Sequence, residues 1–331
     1  MADNITLNET HSISNFTSTL RIPQESTEAW IVIGITGTIT NLLLFLSLIS
    51  SKSLRNPSHI IITSSFLVGI FFNGLYILPR WAAFGYFHRY PIICTILPLL
   101  GAAFLFNYNL HQCFISMDRY FAVKWPVRYR RCIHKRSYFY VLLYFWGFTL
   151  ITAFIPVMTF RPFNSKRCVL HSGNHVAERI FAYWNFFGWF FVPIVVIIFC
   201  YAKTFHLIFN KRRKSVAPNI TASYRPMQLD NKKTINASVQ MAILALIFIV
   251  MMLPYTCVFI VSEIRQIAFI SPQTLFDMIF ITRYIAFSYP AINPILYGYF
   301  VGSIRYAVYD RLHLKQCKKL DIPKSSQANN G

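Results

Sequence analysis

Few side chains in this 331-residue sequence could do chemistry within the apolar runs that dominate it. Asp118 and Arg119 are neighbours at the end of one such run, where a carboxylate can hold a guanidinium in an ion pair that opens and closes. Arg283 is a cation inside the last run, and His111 is a lone histidine in the third, read as structural. These runs contain no paired carboxylates, no His/Cys set at metal-ligand spacing and no nucleophile beside a base, so neither catalysis nor a metal or cofactor is expected.

The elements that must position these groups follow from composition. Hydrophobic residues make up 55% of the chain and charged ones only 13%, about half the share of an ordinary soluble domain. A hydrocarbon core of about 30 Å takes roughly 20 apolar residues in a helix. Seven stretches qualify: Trp30–Ile49, His59–Leu78, Ile92–Met117, Ser137–Phe160, Ala182–Phe205, Ala237–Val261 and Thr274–Tyr299. They are near-continuous rather than alternating, which selects helices over barrel strands. The expectation is an all-α bundle of seven transmembrane helices.

The net charge of +21 would also suit nucleic acid, but the cations sit in short clusters between the apolar runs. The segments after spans 1, 3, 5 and 7, counted with Lys203 in the last turn of span 5, hold 23 of the 32 lysines and arginines; the opposite side holds 8, and Arg283 lies within a span. Positive-inside therefore places the C-terminus in the cytosol and the N-terminus outside, and excludes a nucleic-acid role. Three sequons, at Asn4, Asn8 and Asn15, agree, since glycosylation is lumenal. No basic segment followed by an apolar one precedes the first span, which is expected to act as the signal anchor. This divides the chain into an extracellular glycosylated segment 1–29, a membrane bundle 30–300 and a cytoplasmic segment 301–331. Its opening stretch, Arg305 to Lys315, can separate apolar and basic residues onto two faces, as a short amphipathic helix on the inner leaflet does.

Of seven cysteines, Cys94 and Cys168 fall on the outer side, where oxidation favours a disulfide over two free thiols. Cys113, Cys200 and Cys257 lie within spans and are read as packing residues. Cys317, in a basic juxtamembrane segment, is either a lipidation site or a free thiol.

Taken in order, several marks accumulate. Span 1 has Gly37-x-x-x-Asn41, the next loop Leu54-Arg55-Asn56-Pro57, and span 3 ends in Asp118-Arg119-Tyr120, 25 residues after Cys94. Ala122, Val123, Pro126 and Tyr129 follow, then Trp146 and Pro156, Pro193 and Tyr201, Phe248 with Leu253-Pro254-Tyr255, and Asn293-Pro294-Ile295-Leu296-Tyr297. Over about 270 residues this resembles a rhodopsin-like (class A) G-protein-coupled receptor. The resemblance implies a plasma-membrane receptor that passes an extracellular ligand's signal to a heterotrimeric G protein. In it, Arg119 faces the G protein once released from Asp118, and Tyr201 and Tyr297 turn in to bridge it. Pro193, Pro254 and Pro294 each remove a backbone hydrogen bond, which makes hinges, and Asn293 can satisfy freed groups. The Arg128–Arg136 and Lys211–Lys214 clusters are expected to meet anionic lipid, a G protein, or both.

The chain departs from that pattern at particular positions. Gly69 stands 28 residues after Asn41, where the family keeps a buried sodium-binding aspartate. Met252 replaces a relay tryptophan, Asn109 an aliphatic relay residue, and Thr234 an acid that pairs the span-3 arginine in some members. The family's aromatic seven residues past the last tyrosine is Ile304. Sodium regulation is not expected, and either the resting state is poorly held or activation is wired differently.

Gly101, seven residues after Cys94, occupies the place of the acid that receives amine ligands, so a monoamine is disfavoured. Phe287 stands where a retinal-binding lysine would, and span 7 has no lysine. Arg283 lies ten residues before Asn293, about 15 Å along a helix. It is read either as the counter-ion of an acidic ligand or as a cation that snorkels or pairs with Asp277 or Glu263. By resemblance, Ala102, Leu105, Asn185, Trp189, Met252, Tyr255, Thr256 and Phe259 would line the same cavity. An aromatic lining with few polar groups suits lipid-like acids, small aromatic acids or a peptide end. The competing class, a transporter or channel, would call for ionisable residues along a midplane path, and a weakly signalling or constitutively active receptor-like protein is the third reading.

Overall fold

The structure is a computed structural model that describes residues 27–50, 57–82, 90–132, 134–161, 173–215, 225–264 and 271–312. Asn4, Asn8, Asn15, Cys168 and Cys317 lie outside these residues, as do the side chains of Lys211, Lys214, Thr234 and Glu263. Among the described residues the regular elements are all helical, and seven helices are long and apolar enough to cross a membrane. These are Thr27–Ser50, Ser58–Trp81, Pro91–Lys124, Lys135–Thr159, His175–Asn210, Ile235–Ser262 and Gln273–Phe300. Two shorter helices, Pro126–Cys132 and Gly302–Arg311, follow the third and seventh spans.

The spans keep the expected order but outrun the apolar stretches. The fifth begins at His175, not Ala182, because Asn174 caps it by accepting from the Ala177 amide at 3.1 Å. Its first turns carry Glu178, whose carboxylate accepts from Arg161 Nε at 2.8 Å, a polar start that hydropathy passes over. The third runs on to Lys124, so Asp118-Arg119-Tyr120 lies within the helix, not at its end. At 34 residues it measures about 50 Å and forms the axis of the bundle, packed on spans 2, 4, 5 and 6.

Spans 1 and 2 meet at glycines. A Cβ on Gly69 would overlap the Asn41 side chain, and one on Gly37 would overlap Asn73. Each helix thus seats an asparagine against the other's glycine, and only the absence of a side chain permits so close an approach. Hydroxyls within spans bond back to their own helix, as Thr204 does to the Cys200 carbonyl at 2.7 Å, while Ile35, Ile39, Ile151 and Leu246 face outward. In the terminal helix Ile304 and Ala307 are buried, while Arg305 is exposed together with Tyr306 and Tyr309, so the outer face is not purely basic. Ile304 fills the aromatic's place, and Arg311 donates to Ser50 Oγ at 2.8 Å on span 1.

Two prolines leave carbonyls without their helical donors, and two asparagines from other spans supply replacements. Pro294 has no N–H for the Pro290 carbonyl, which accepts instead from Asn41 Nδ2 at 2.8 Å. Pro193 likewise frees the Trp189 carbonyl within a π-helical stretch, Asn185–Phe191, and Asn109 Nδ2 donates to it at 2.9 Å. Asn293, expected in such a role, instead accepts from the Tyr289 hydroxyl at 2.9 Å.

Candidate functional site

The buried ion pair of Asp118 and Arg119 closes into a ring through span 2 and the helix Pro126–Cys132. Arg119 donates through Nε to Asp118 Oδ2 at 3.0 Å and through Nη2 to Ser58 Oγ at 2.5 Å. Ser58 Oγ lies 2.9 Å from the Tyr129 hydroxyl, which donates to Asp118 Oδ1 at 2.6 Å. The guanidinium can only donate and the carboxylate only accept, so the hydroxyls are polarised in one direction: Arg119 to Ser58, Ser58 to Tyr129, Tyr129 to Asp118. Tyr138, from span 4, adds a second phenol to Asp118 Oδ1. Burial first, then the Asp118 carboxylate, hold the Tyr129 phenol above its usual range, so it remains a donor at neutral pH.

Removing one partner of a buried, fully hydrogen-bonded pair costs about 3–5 kcal/mol, so this ring outweighs any single surface contact around it. Tyr120 sits beside it with its ring 5.2 Å from Lys124 Nζ. Tyr201 and Tyr297 are buried within electrostatic reach of Arg119, and Tyr297 meets the Phe66 ring edge-on at 5.5 Å. Pro294 lies one turn before Tyr297, next to the Pro290 carbonyl to which Asn41 donates. The sequence motifs thus converge at one end of the bundle. Ser58 and Tyr138 carried no sequence signal, because neither belongs to a motif and both reach Asp118 from other spans.

At the opposite end, the expected cavity residues divide into two groups. Phe287 is the centre of the first: its ring lies 5.3 Å from Tyr255, 5.6 Å from Phe72, 6.0 Å from Tyr76 and 6.2 Å from Trp30. Phe259 joins through Tyr255 at 6.0 Å. Arg283, one turn along from Phe287, places its guanidinium 4.9 Å from the Trp81 ring. Asp277, a partner considered for Arg283, accepts from Gln273 at 3.1 Å. Trp189 belongs elsewhere: it stacks on Phe106 at 4.7 Å and packs with Ala103 and Ala153, with Ala102 against the same cluster. Asn185 begins the π-helical stretch, Met252 and Leu105 are buried in the main core, and Thr256 bonds its own helix at the Leu253 carbonyl.

Gly101 is filled by a neighbour. The Tyr76 ring stands where a Cβ would go, with ring atoms within 2.6 Å of that point. Span 2 has therefore taken the space in which a span-3 carboxylate would stand. A similar substitution occurs deeper in: Tyr108, fully buried, meets Tyr289 edge-on at 5.7 Å and faces Asn293, while Asn41 covers Gly69. His111 bridges spans, with Nδ1 2.8 Å from the Asn107 carbonyl and Nε2 2.9 Å from Ser64 Oγ, both nitrogens engaged as a structural histidine requires. Cys94 is buried and is not a free thiol.

Residues 40–297 match the model of the 7 transmembrane receptor (rhodopsin family). The chain belongs to this family. Among its relatives, rat (Rattus norvegicus) trace amine-associated receptor 8b is 25% identical over 283 residues, covering 81% of this chain and 80% of that one. Melanopsin of Branchiostoma belcheri is 25% identical over 291 residues, 83% of this chain and 40% of that protein. The crystal structure of squid rhodopsin has the same fold, with a TM-score of 0.70 at 19% identity over 88% of this chain and 86% of that one. The receptor is accordingly a multi-pass membrane protein.

Proposed function

We propose that this receptor sits in the plasma membrane with its N-terminus outside and converts binding of an extracellular ligand into activation of a heterotrimeric G protein, without catalysis of its own. The observation that carries the reading is the hydrogen-bonded ring in which Arg119 donates to Asp118 and Ser58 while Tyr129 donates to Asp118. With the Tyr138 bond to Asp118 four elements contribute, so separating spans 2, 3 and 4 from the loop helix would release the guanidinium for a partner. In this reading Tyr201 and Tyr297, both buried, receive it. Family membership supports the same partner.

The ligand is proposed to be acidic, lipid-like or a peptide end. Relatives are named for trace amines, but Gly101 and the Tyr76 ring leave no carboxylate at the span-3 position to hold an ammonium. Arg283 over Trp81 supplies the opposite charge. The Cys94–Cys168 disulfide, glycans at Asn4, Asn8 and Asn15, and lipid on Cys317 belong to the same proposal.

The test is basal nucleotide exchange on purified G proteins for wild type, Arg119→Ala and Met252→Trp. Exchange abolished by Arg119→Ala supports the receptor reading. Ion flux with no exchange favours a channel or transporter and overturns it.

A further inference from the structure

Between the loop helix Pro126–Cys132 and spans 3 and 4 lies a groove of about 350 Å³. Phe114, Met117, Phe121, Trp125 and Tyr138 line it, and the lining is almost wholly apolar. Asp118 borders it too, but that side chain is 2% exposed, with Oδ1 taken by the Tyr129 and Tyr138 phenols. Phe121 and Trp125 stack with centroids 5.7 Å apart and are 40% and 45% exposed, so the groove opens sideways, where lipid would stand. Arg128 also lines the groove and is exposed, and Lys124 Nζ lies 4.1 Å from the Trp125 ring centroid. Tryptophan, lysine and arginine are the side chains that settle at the headgroup level of a membrane. From Phe114 to Phe145 the sequence holds seven lysines and arginines and a single acid, Asp118, which Arg119 already engages.

We propose that this groove holds an anionic phospholipid of the inner leaflet, with its headgroup on Arg128 and Lys124 and one acyl chain along Phe121 and Phe114. The proposal goes beyond signal transfer and takes only its orientation from the reading above. Along the chain the lining passes from Phe114 and Met117 in the apolar run to Trp125 at the end of span 3, and then to Arg128. Apolar and cationic parts thus follow each other as tail and headgroup do within a leaflet. A phosphodiester offers acceptors to a guanidinium, and a net negative headgroup is drawn to clustered cations that no free acid neutralises. Occupancy bears on the Asp118 ring. Tyr129 follows Arg128 on the same short helix, where its amide donates to the Trp125 carbonyl at 2.8 Å, and Tyr138 meets Phe114 edge-on at 5.5 Å. A lipid seated against Phe114 and Arg128 therefore braces both phenols that hold Asp118, and an anionic leaflet firms the resting state.

Tryptophan fluorescence of the full chain in lipid nanodiscs tests this, because brominated acyl chains quench an indole that they touch. The Trp125 signal is the difference between wild type and Trp125→Phe. Brominated phosphatidylserine, as a minor component, is expected to quench it saturably and more strongly than brominated phosphatidylcholine at the same fraction. Arg128→Gln should weaken that preference about fivefold, the contribution of one cation near an anionic surface, and Arg128→Lys should retain it. Unfolding temperatures in phosphatidylcholine check that each variant folds. Equal quenching by the two lipids overturns the proposal, as does an unaltered preference in Arg128→Gln. Quenching relieved as readily by soluble glycerophosphoserine would mean that the headgroup alone binds, and overturns the lipid slot. Bracing is read from basal exchange, which should be lower in phosphatidylserine than in phosphatidylcholine for wild type and equal in the two for Arg128→Gln. Selective quenching with equal exchange in wild type removes the bracing role. No exchange in either lipid overturns the receptor reading and the bracing with it, while the lipid site stands on its quenching.

Discussion

Asn109 on span 3 holds the backbone of span 5 at Trp189, donating from Nδ2 to a carbonyl that Pro193 has deprived of its helical partner. The residue is 2% exposed, so this bond is made away from water. Replacing Asn109 with leucine preserves size but leaves the carbonyl unpaired, at a cost of about 1–3 kcal/mol on general grounds and nearer 0.6 by the average for bonds between membrane helices. We expect Asn109→Leu to lower the unfolding temperature and to raise basal nucleotide exchange, because the bond fixes the π-helical stretch in the arrangement seen here. Unchanged values of both in nanodiscs would refute the role.

The Asp118 ring predicts a graded series. Asp118→Asn removes the charge that holds Arg119 and should raise basal exchange most. Tyr138→Phe and Tyr129→Phe each delete one phenol bond to the carboxylate and should raise it less, since a hydrogen bond to a charged group contributes about 1.5–3 kcal/mol. Exchange assays on the three variants give the order, and a larger effect for either phenol than for Asp118→Asn would contradict it.

The Tyr129 phenol also sets a pH window. Burial and Asp118 raise its pKa above the unfolded value of about 10, so its contribution to stability is complete below about pH 10 and lost only as pH rises through the higher folded value. The difference in unfolding temperature between wild type and Tyr129→Phe should therefore stay constant from about pH 6 to 9 and shrink above about pH 10. A difference that already declines near neutrality would show that the phenol is not held as described.

Restoring the family's aspartate should not restore a sodium site. In Gly69→Asp the new Cβ meets the Asn41 side chain, so overpacking of about 1–3 kcal/mol is expected. Unfolding temperatures in sodium and in a large organic cation should coincide for the wild type and for this variant. A sodium-dependent rise in either would overturn the account of this interior.

Gly101→Asp should fold poorly alone, because the Tyr76 ring occupies the space, and Tyr76→Ala should rescue it. Surface expression of the two single variants and the double variant measures the coupling. Independent effects would mean that Tyr76 does not fill the Gly101 space.

How much was legible in the sequence differs between levels. The seven spans could be read because apolar length and composition are local properties, and the family motifs because they lie close together along the chain. The Asp118–Arg119 pair needed only adjacency. The start of the fifth span was missed because Glu178 and Arg179 lower its hydropathy, although the cap residue Asn174 was a usable signal. Among the expected cavity residues, Trp189 stacks on Phe106, a contact between spans that spacing along the chain does not encode.

By itself, then, the sequence determined the count of helices long and apolar enough to cross a membrane, and the adjacency of Asp118 and Arg119 near one end of the third. Tertiary structure decided which side chains complete each site: Ser58 and Tyr138 at Asp118, Tyr76 in the Gly101 space, Asn109 on the Trp189 carbonyl, and Trp30 with Trp81 beside Arg283. The reason is geometric. Hydropathy fixes that a helix is buried in lipid, but its rotation and depth against its neighbours are set by packing, here by glycines, π-helical turns and proline-freed carbonyls that act between spans far apart in sequence.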